Sequence, residues 1–125
     1  GGQTHEGVAR LLEGADFLVH PSRLYEGCSM VVVEAFSAGV PCVVSGLGSL
    51  AEMVEDGVTG LHCRPGDAED LAAKAAWMAD HPAGRAAMAN AARARYDEQY
   101  TPERNYALLM DIYQAAISYR RVAGI

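Results

Sequence analysis

The sequence predicts an α/β fold: a thin parallel sheet with helices on both faces, built as the second half of a doubly wound domain. Three observations predict it. Short apolar runs bounded by turn residues recur at 15–20, 41–45 and 59–63, the pattern of strands buried within a parallel sheet. The stretches between and after them carry helical spacing, and buried strands this close in sequence need a crossover of a dozen or more residues, normally a right-handed helix. The chain therefore alternates strand and helix before ending in helices alone.

Residues 4–12 place Val8, Leu11 and Leu12 at helical spacing, with Thr4 as N-cap and Gly14 as stop, so a short helix opens the chain. Phe17-Leu18-Val19, ended by Pro21-Ser22, predicts the first strand over 15–20, buried on both faces. Taken alone, Met30 to Val33 favours extended backbone, because consecutive valines are stiff at χ1. The crossover requirement overrides that preference, and a helix from Met30 is predicted to stop at Gly39 and Pro41. The second strand, 41–45, leads to the turn Gly46-Leu47-Gly48. There Ser49 and Glu52 have the spacing of a capping box opening a short helix through Val54. Glu55-Asp56-Gly57 closes it, 59–63 is the third strand, and Pro65-Gly66-Asp67 turns into a helix over 68–80 with Leu71, Ala75 and Met78 on one face. Trp77 is expected to anchor that helix to the sheet. An alanine-rich helix follows over 84–96. Thr101-Pro102 starts a last helix over about 102–121, whose stripe of Tyr106, Leu109, Met110, Tyr113, Ala116 and Ile117 reads as core.

With 125 residues the chain reads as a single partial domain, 1–125, with one core. Half of it is hydrophobic, but no apolar run approaches the ~18 residues of a membrane span and no charged-then-apolar leader opens it. A soluble, cytoplasmic protein is expected, its parent at most peripheral at the inner membrane face. The net charge of −6 opposes binding to nucleic acid or anionic lipid, so any phosphate contact must be local and geometric. Cys28, Cys42 and Cys63 are too widely spaced for a zinc knuckle, and an odd number suits reduced thiols. His62 beside Cys63 faces the opposite way on a strand, so no metal site is read there. Three strands leave an open sheet with an apolar edge at 17–19, which implies further strands upstream. A piece of this kind is expected either to pair with another copy, as a homodimer or by swapping a strand or helix through that edge, or to be poorly ordered there.

The stretch 26–39, EGCSMVVVEAFSAG, organises the rest. Glu34 has no cation within four positions on either side, and a carboxylate on an apolar helix needs a partner, because burial alone disfavours its charged form. It faces solvent, pairs with a remote Arg such as Arg64, or meets a ligand; Glu26 in turn either pairs with Arg23 or faces a ligand. Ligands of open parallel sheets bind beyond the carboxyl ends of the strands, where this turn lies. Gly27, Cys28 and Ser29 are small enough to let backbone N–H groups approach closely, and the following helix adds unsatisfied N–H groups at a positive dipole end. That combination suits a diphosphate. Glu34 stands about 9 to 10 Å further along the helix, so the two carboxylates can flank a nucleotide-sugar, one for each sugar ring. His20 and Ser22 read as residues that shape the strand end.

EGCSMVVVEAFSAGVPCVVS, followed by GSLAEMVEDGVTGLHCRPGD, resembles the carboxyl-terminal, donor-binding domain of retaining GT-B glycosyltransferases of family 4, the glycosyl transferases group 1. The resemblance covers nearly all of the chain from about Ala15. It implies a three-layer Rossmann-like half-domain and transfer of a sugar, with retention, from a nucleoside-diphosphate sugar to an acceptor. It also implies that Glu26 contacts the transferred sugar, that Glu34 binds the ribose hydroxyls, and that the amides of Gly27, Cys28, Ser29 and Met30 face the diphosphate or the sugar. No metal or cofactor is implied, since basic side chains upstream of this segment and the helix dipole act on the diphosphate; the acceptor is held by a separate amino-terminal part of the same enzyme. Many members have Phe-Gly where this chain has Cys28-Ser29. Two other functions fit the residues: an assembly or regulatory fragment pairing through the sheet edge, and a nucleotide-sugar epimerase of similar architecture.

Overall fold

The computed structural model describes residues 1–124. Its elements follow the expected order: α1 (His5–Glu13), β1 (Leu18–His20), α2 (Met30–Ser37), β2 (Cys42–Ser45), α3 (Gly48–Met53), β3 (Gly60–Cys63), α4 (Ala68–Asp80), α5 (Pro82–Gln99) and α6 (Pro102–Ala123). The three strands are parallel in the order β1-β2-β3, with Leu18 opposite Cys42 and Cys42 opposite Gly60. Gly60 is required at that register: a Cβ would lie 2.0 Å from the Cys42 carbonyl oxygen.

β2 is the centre of the sheet and all four of its residues are buried. Alternation along it divides the core into two layers. Cys42 and Val44 face a cluster formed with Leu12 of α1, Val32, Ala35 and Phe36 of α2, Leu50 and Met53 of α3, and Ala92 of α5. Val43 faces the other side, against Met78 of α4 and Met88 of α5, with Phe17 and Leu61 alongside. α5 contributes to both clusters, so it wraps from one layer to the other. The helix at Met30, against the local preference of its valines, is explained by this burial: Val32 and Phe36 are fully buried at i, i+4 spacing. Gly39 ends the segment in the left-handed region at φ 68°.

Several expectations are corrected. The first strand is shorter than 15–20 and is not buried on both faces; it is an edge strand, and Val19 remains 40% exposed. The capping box is absent. Leu47 is the N-cap of α3 and Ser49 lies within the helix, because its hydroxyl is taken by carbonyls of a distant turn. α5 extends past 84–96 at both ends, with Pro82 in its first turn, where the missing N–H costs nothing. Trp77 packs against the Val43 cluster, but its ring stacks on His81 at 4.4 Å and 10° and closes on Gly84. It therefore clamps the α4–α5 turn as much as it anchors α4. The last helix buries none of its residues. Tyr106, Leu109, Tyr113 and Ile117 of the expected core stripe are each more than 40% exposed.

Candidate functional site

The turn from Pro21 to Ser29 connects the carboxyl end of β1 to α2. Its backbone is gripped from the next loop. The Ser49 hydroxyl donates to the Glu26 carbonyl at 2.9 Å and approaches the Gly27 carbonyl. One residue earlier, Gly48 has φ 54°, and a Cβ there would stand 2.8 Å from Cδ1 of Tyr25, so glycine lets the tyrosine ring lie against the start of α3. With the carbonyls turned towards Ser49, the N–H groups of Gly27, Cys28 and Ser29 reach no backbone acceptor among the described residues. They join the unsatisfied first amides of α2 at the positive end of the helix. Ser29 is the N-cap residue without a side-chain cap bond. It is buried, whereas Gly27, Cys28 and Met30 are exposed.

Glu26 does not pair with Arg23. Its carboxylate meets His20 at the end of β1, with Nε2 at 3.2 Å from Oε1. The Ser22 hydroxyl first, and then the hydrogen bond from His20, hold the Glu26 carboxyl below its usual range. Sequence reasoning left His20 out of the site. The signal available was its position as the last residue of the strand, six before Glu26, with Pro21 between them forcing the chain to turn back.

Glu34 lies in the second turn of α2 with its side chain 34% exposed. It is not locked to an arginine among the described residues: Arg64 is engaged by Asp67 at 2.9 Å and Asp70 at 3.9 Å. Its nearest basic neighbour is His5, fully exposed and 3.9 Å away, a contact of little energy. Glu34 lines a groove of about 460 Å³ together with Cys28, Met30, Ser37, Tyr100 and Asn105. Met30 and Glu34 are one helical turn apart on the same face, which is why the groove runs from the turn to the carboxylate. On its other side Glu34 borders a second concavity of about 180 Å³, shared with His5, Val8 and Leu12 of α1. The structure thus brings Cys28, Met30 and Glu34 into one groove and places Glu26 outside that groove, facing His20. No group of three His, Cys, Asp or Glu side chains with metal-binding geometry occurs among the described residues.

The three-stranded parallel sheet and its helices match the carboxyl-terminal Rossmann-like half-domain of GT-B glycosyltransferases. The chain belongs to the family described as "Glycosyl transferases group 1", which it matches over residues 1–95. It is 38% identical over 112 residues to glycogen synthase of Mycobacterium tuberculosis, a match that takes in 90% of this chain and 27% of that protein. Sucrose-phosphate synthase from Thermosynechococcus elongatus superposes on 95% of the chain with a TM-score of 0.86 at 28% identity. Anabaena Alr3699/HepE in complex with UDP-glucose superposes on 86% with a TM-score of 0.79 at 26% identity. Each of the two solved structures is matched over only 30% of its own length.

Proposed function

We propose that the chain is the donor-binding part of a family 4 glycosyltransferase that moves a sugar from a nucleoside-diphosphate sugar to an acceptor, with retention at the anomeric carbon. The observation that carries this reading is the groove joining Glu34 to Cys28 and Met30, at whose head the turn leaves its N–H groups free. Negative charge grows on the diphosphate as the glycosidic bond breaks, and donors already fixed in place stabilise it without reorganising. The amides of Gly27, Cys28, Ser29 and Met30 supply those donors. Glu34 accepts from the ribose hydroxyls. Glu26, kept anionic by Ser22 and His20, accepts from hydroxyls of the transferred sugar and supports positive charge developing on its ring. The complex of HepE with UDP-glucose supports a nucleotide-sugar as the ligand. In this reading no metal takes part, and the acceptor is held by another part of the enzyme.

The test is calorimetry with UDP on the full-length protein and its Glu34→Ala variant. Two charge-assisted hydrogen bonds are removed, so affinity should fall by about 2 to 4 kcal/mol, roughly 30- to 700-fold. Equal affinity for the two proteins refutes the role of Glu34. An assembly role is favoured by a different observation, the unpaired outer edge of β1 with Val19 exposed. A tight dimer in sedimentation, together with no thermal shift on adding nucleotide, would establish that role instead.

A further inference from the structure

A third concavity lies at the carboxyl ends of the strands, on the layer opposite Glu34. It measures about 210 Å³, and Arg23, Ser45, Cys63, Gly66 and Leu71 contribute to its lining. That is below the ~300–1,000 Å³ of drug-sized pockets, so an occupant must be small. Two of its donors are unspent. Ser45 ends β2 two residues after Val43, so its side chain points to the same layer, beneath the first turn of α4. It is 1% exposed, and its Oγ makes no hydrogen bond of normal geometry among the described residues; its nearest polar neighbour is the Cys63 thiol, on which it acts as a weak donor. A buried hydroxyl left in that state is costly, and native folds seldom retain one without a purpose.

The second donor is the Arg23 guanidinium. It lies flat against Gly66, which has φ 74°; a Cβ there would stand 3.2 Å from Nη2 and 3.3 Å from Nε. Glycine at this position leaves the room that the guanidinium fills. No carboxylate stands within ion-pair distance of Arg23 among the described residues. The other arginine of the lining, Arg64, is neutralised by Asp67 and Asp70, and Asp67 also accepts the Asp70 N–H as the cap of α4. The remaining capacity is therefore one positive charge at the mouth, one hydroxyl at the floor, and an apolar wall of Pro21, Ala68 and Leu71 between them.

We propose that this pocket is a binding site for a small oxyanion, a carboxylate or a phosphate group, that accepts from Arg23 and from Ser45 Oγ. It is separate from the groove of Glu34 and does not depend on the function proposed for it. An oxyanion accepts from both donors and also neutralises the Arg23 charge, which a neutral ligand does not and a cation opposes.

The experiment is calorimetry on the full-length protein in the presence of excess UDP, with inorganic phosphate in one arm and butyrate in the other. The expected result is saturable binding of at least one anion with Kd of roughly 1 mM, weakened by at least about tenfold in both Arg23→Gln and Ser45→Val. Binding of phosphate alone assigns the site to phosphate esters, and binding of butyrate alone to carboxylates. Ser45→Val removes the orphaned hydroxyl without shortening the side chain, so its melting temperature should match or exceed that of the parent and separates lost binding from lost folding. Absence of binding in both arms overturns the proposal, as does affinity unchanged in either variant.

Discussion

Ser49→Ala isolates the link between the second loop and the turn. The hydroxyl has a single proton, shared between the Glu26 carbonyl at 2.9 Å and the Gly27 carbonyl, so the substitution removes one hydrogen bond and not two. Glu26 and Gly27 are exposed, so water replaces the lost donor and no carbonyl is left orphaned. The expected loss of stability is therefore about 0.5 to 1.5 kcal/mol, the net worth of one neutral hydrogen bond. Freeing the turn also means that a ligand must order it again, so affinity for UDP should fall by a similar amount, about two- to twelvefold. The assay is urea unfolding of the full-length protein and of the variant, monitored by circular dichroism, with the nucleotide-induced shift in melting temperature measured alongside. Unchanged stability together with an unchanged nucleotide shift would show that Ser49 does not hold the turn. A loss above about 3 kcal/mol would mean that the hydroxyl supports something larger than one bond.

The remaining predictions concern charge, thiols and close packing. The Glu26 carboxyl is held below its ordinary value of 4.5 by the Ser22 hydroxyl and then His20. A depressed folded pKa means that this contribution is present above the unfolded pKa and is lost as pH falls through the folded value, so stability should decline below about pH 4.5. Glu26→Gln should flatten that part of the acid titration, and superimposable curves below pH 4.5 would contradict it. Among the thiols, Cys28 is exposed, Cys42 is pushed up to about 12 by burial, and Cys63 is raised by burial and then by the charge of Asp70. Since the thiolate is the reactive form, a maleimide should modify Cys28 rapidly and leave the other two until unfolding. Mass spectrometry showing fast modification of Cys42 in the native protein would refute this, and modification at Cys28 should abolish UDP binding. Gly60→Ala sets a methyl 2.0 Å from a backbone oxygen, where a C···O contact needs about 3.3 Å. β2 and β3 must part by more than 1 Å at that pair, and urea unfolding should register a loss of about 3 kcal/mol, the upper range for overpacking. A loss under 1 kcal/mol would show that the strands yield freely.

The sheet was legible because its signals are local and mutually consistent. The run at 41–45 could be placed as a buried strand from its composition, and its spacing from the preceding run forced the helix between them despite three valines. The two carboxylates could be placed on either side of a small-residue turn because a spacing of eight positions, with seven residues between them, fixes their separation. The misplaced features all turn on long-range contacts. Ser49 and Glu52 have the spacing of a capping box, but the Ser49 hydroxyl has a better use 23 residues away. Tyr106, Leu109, Tyr113 and Ile117 have core spacing on a helix that buries none of its residues among the described ones.

By itself, then, the sequence determined the α/β rhythm, the order of elements and the position of the Glu26-to-Glu34 stretch, because strand burial, crossover length and turn chemistry are written in neighbouring residues. The tertiary structure alone decided that His20 faces Glu26, that Ser49 ties down the turn, that Arg23 and Ser45 meet in one pocket, and that α6 lies bare. Those outcomes depend on which groups remain unsatisfied after the layers pack, and no local pattern carries that information.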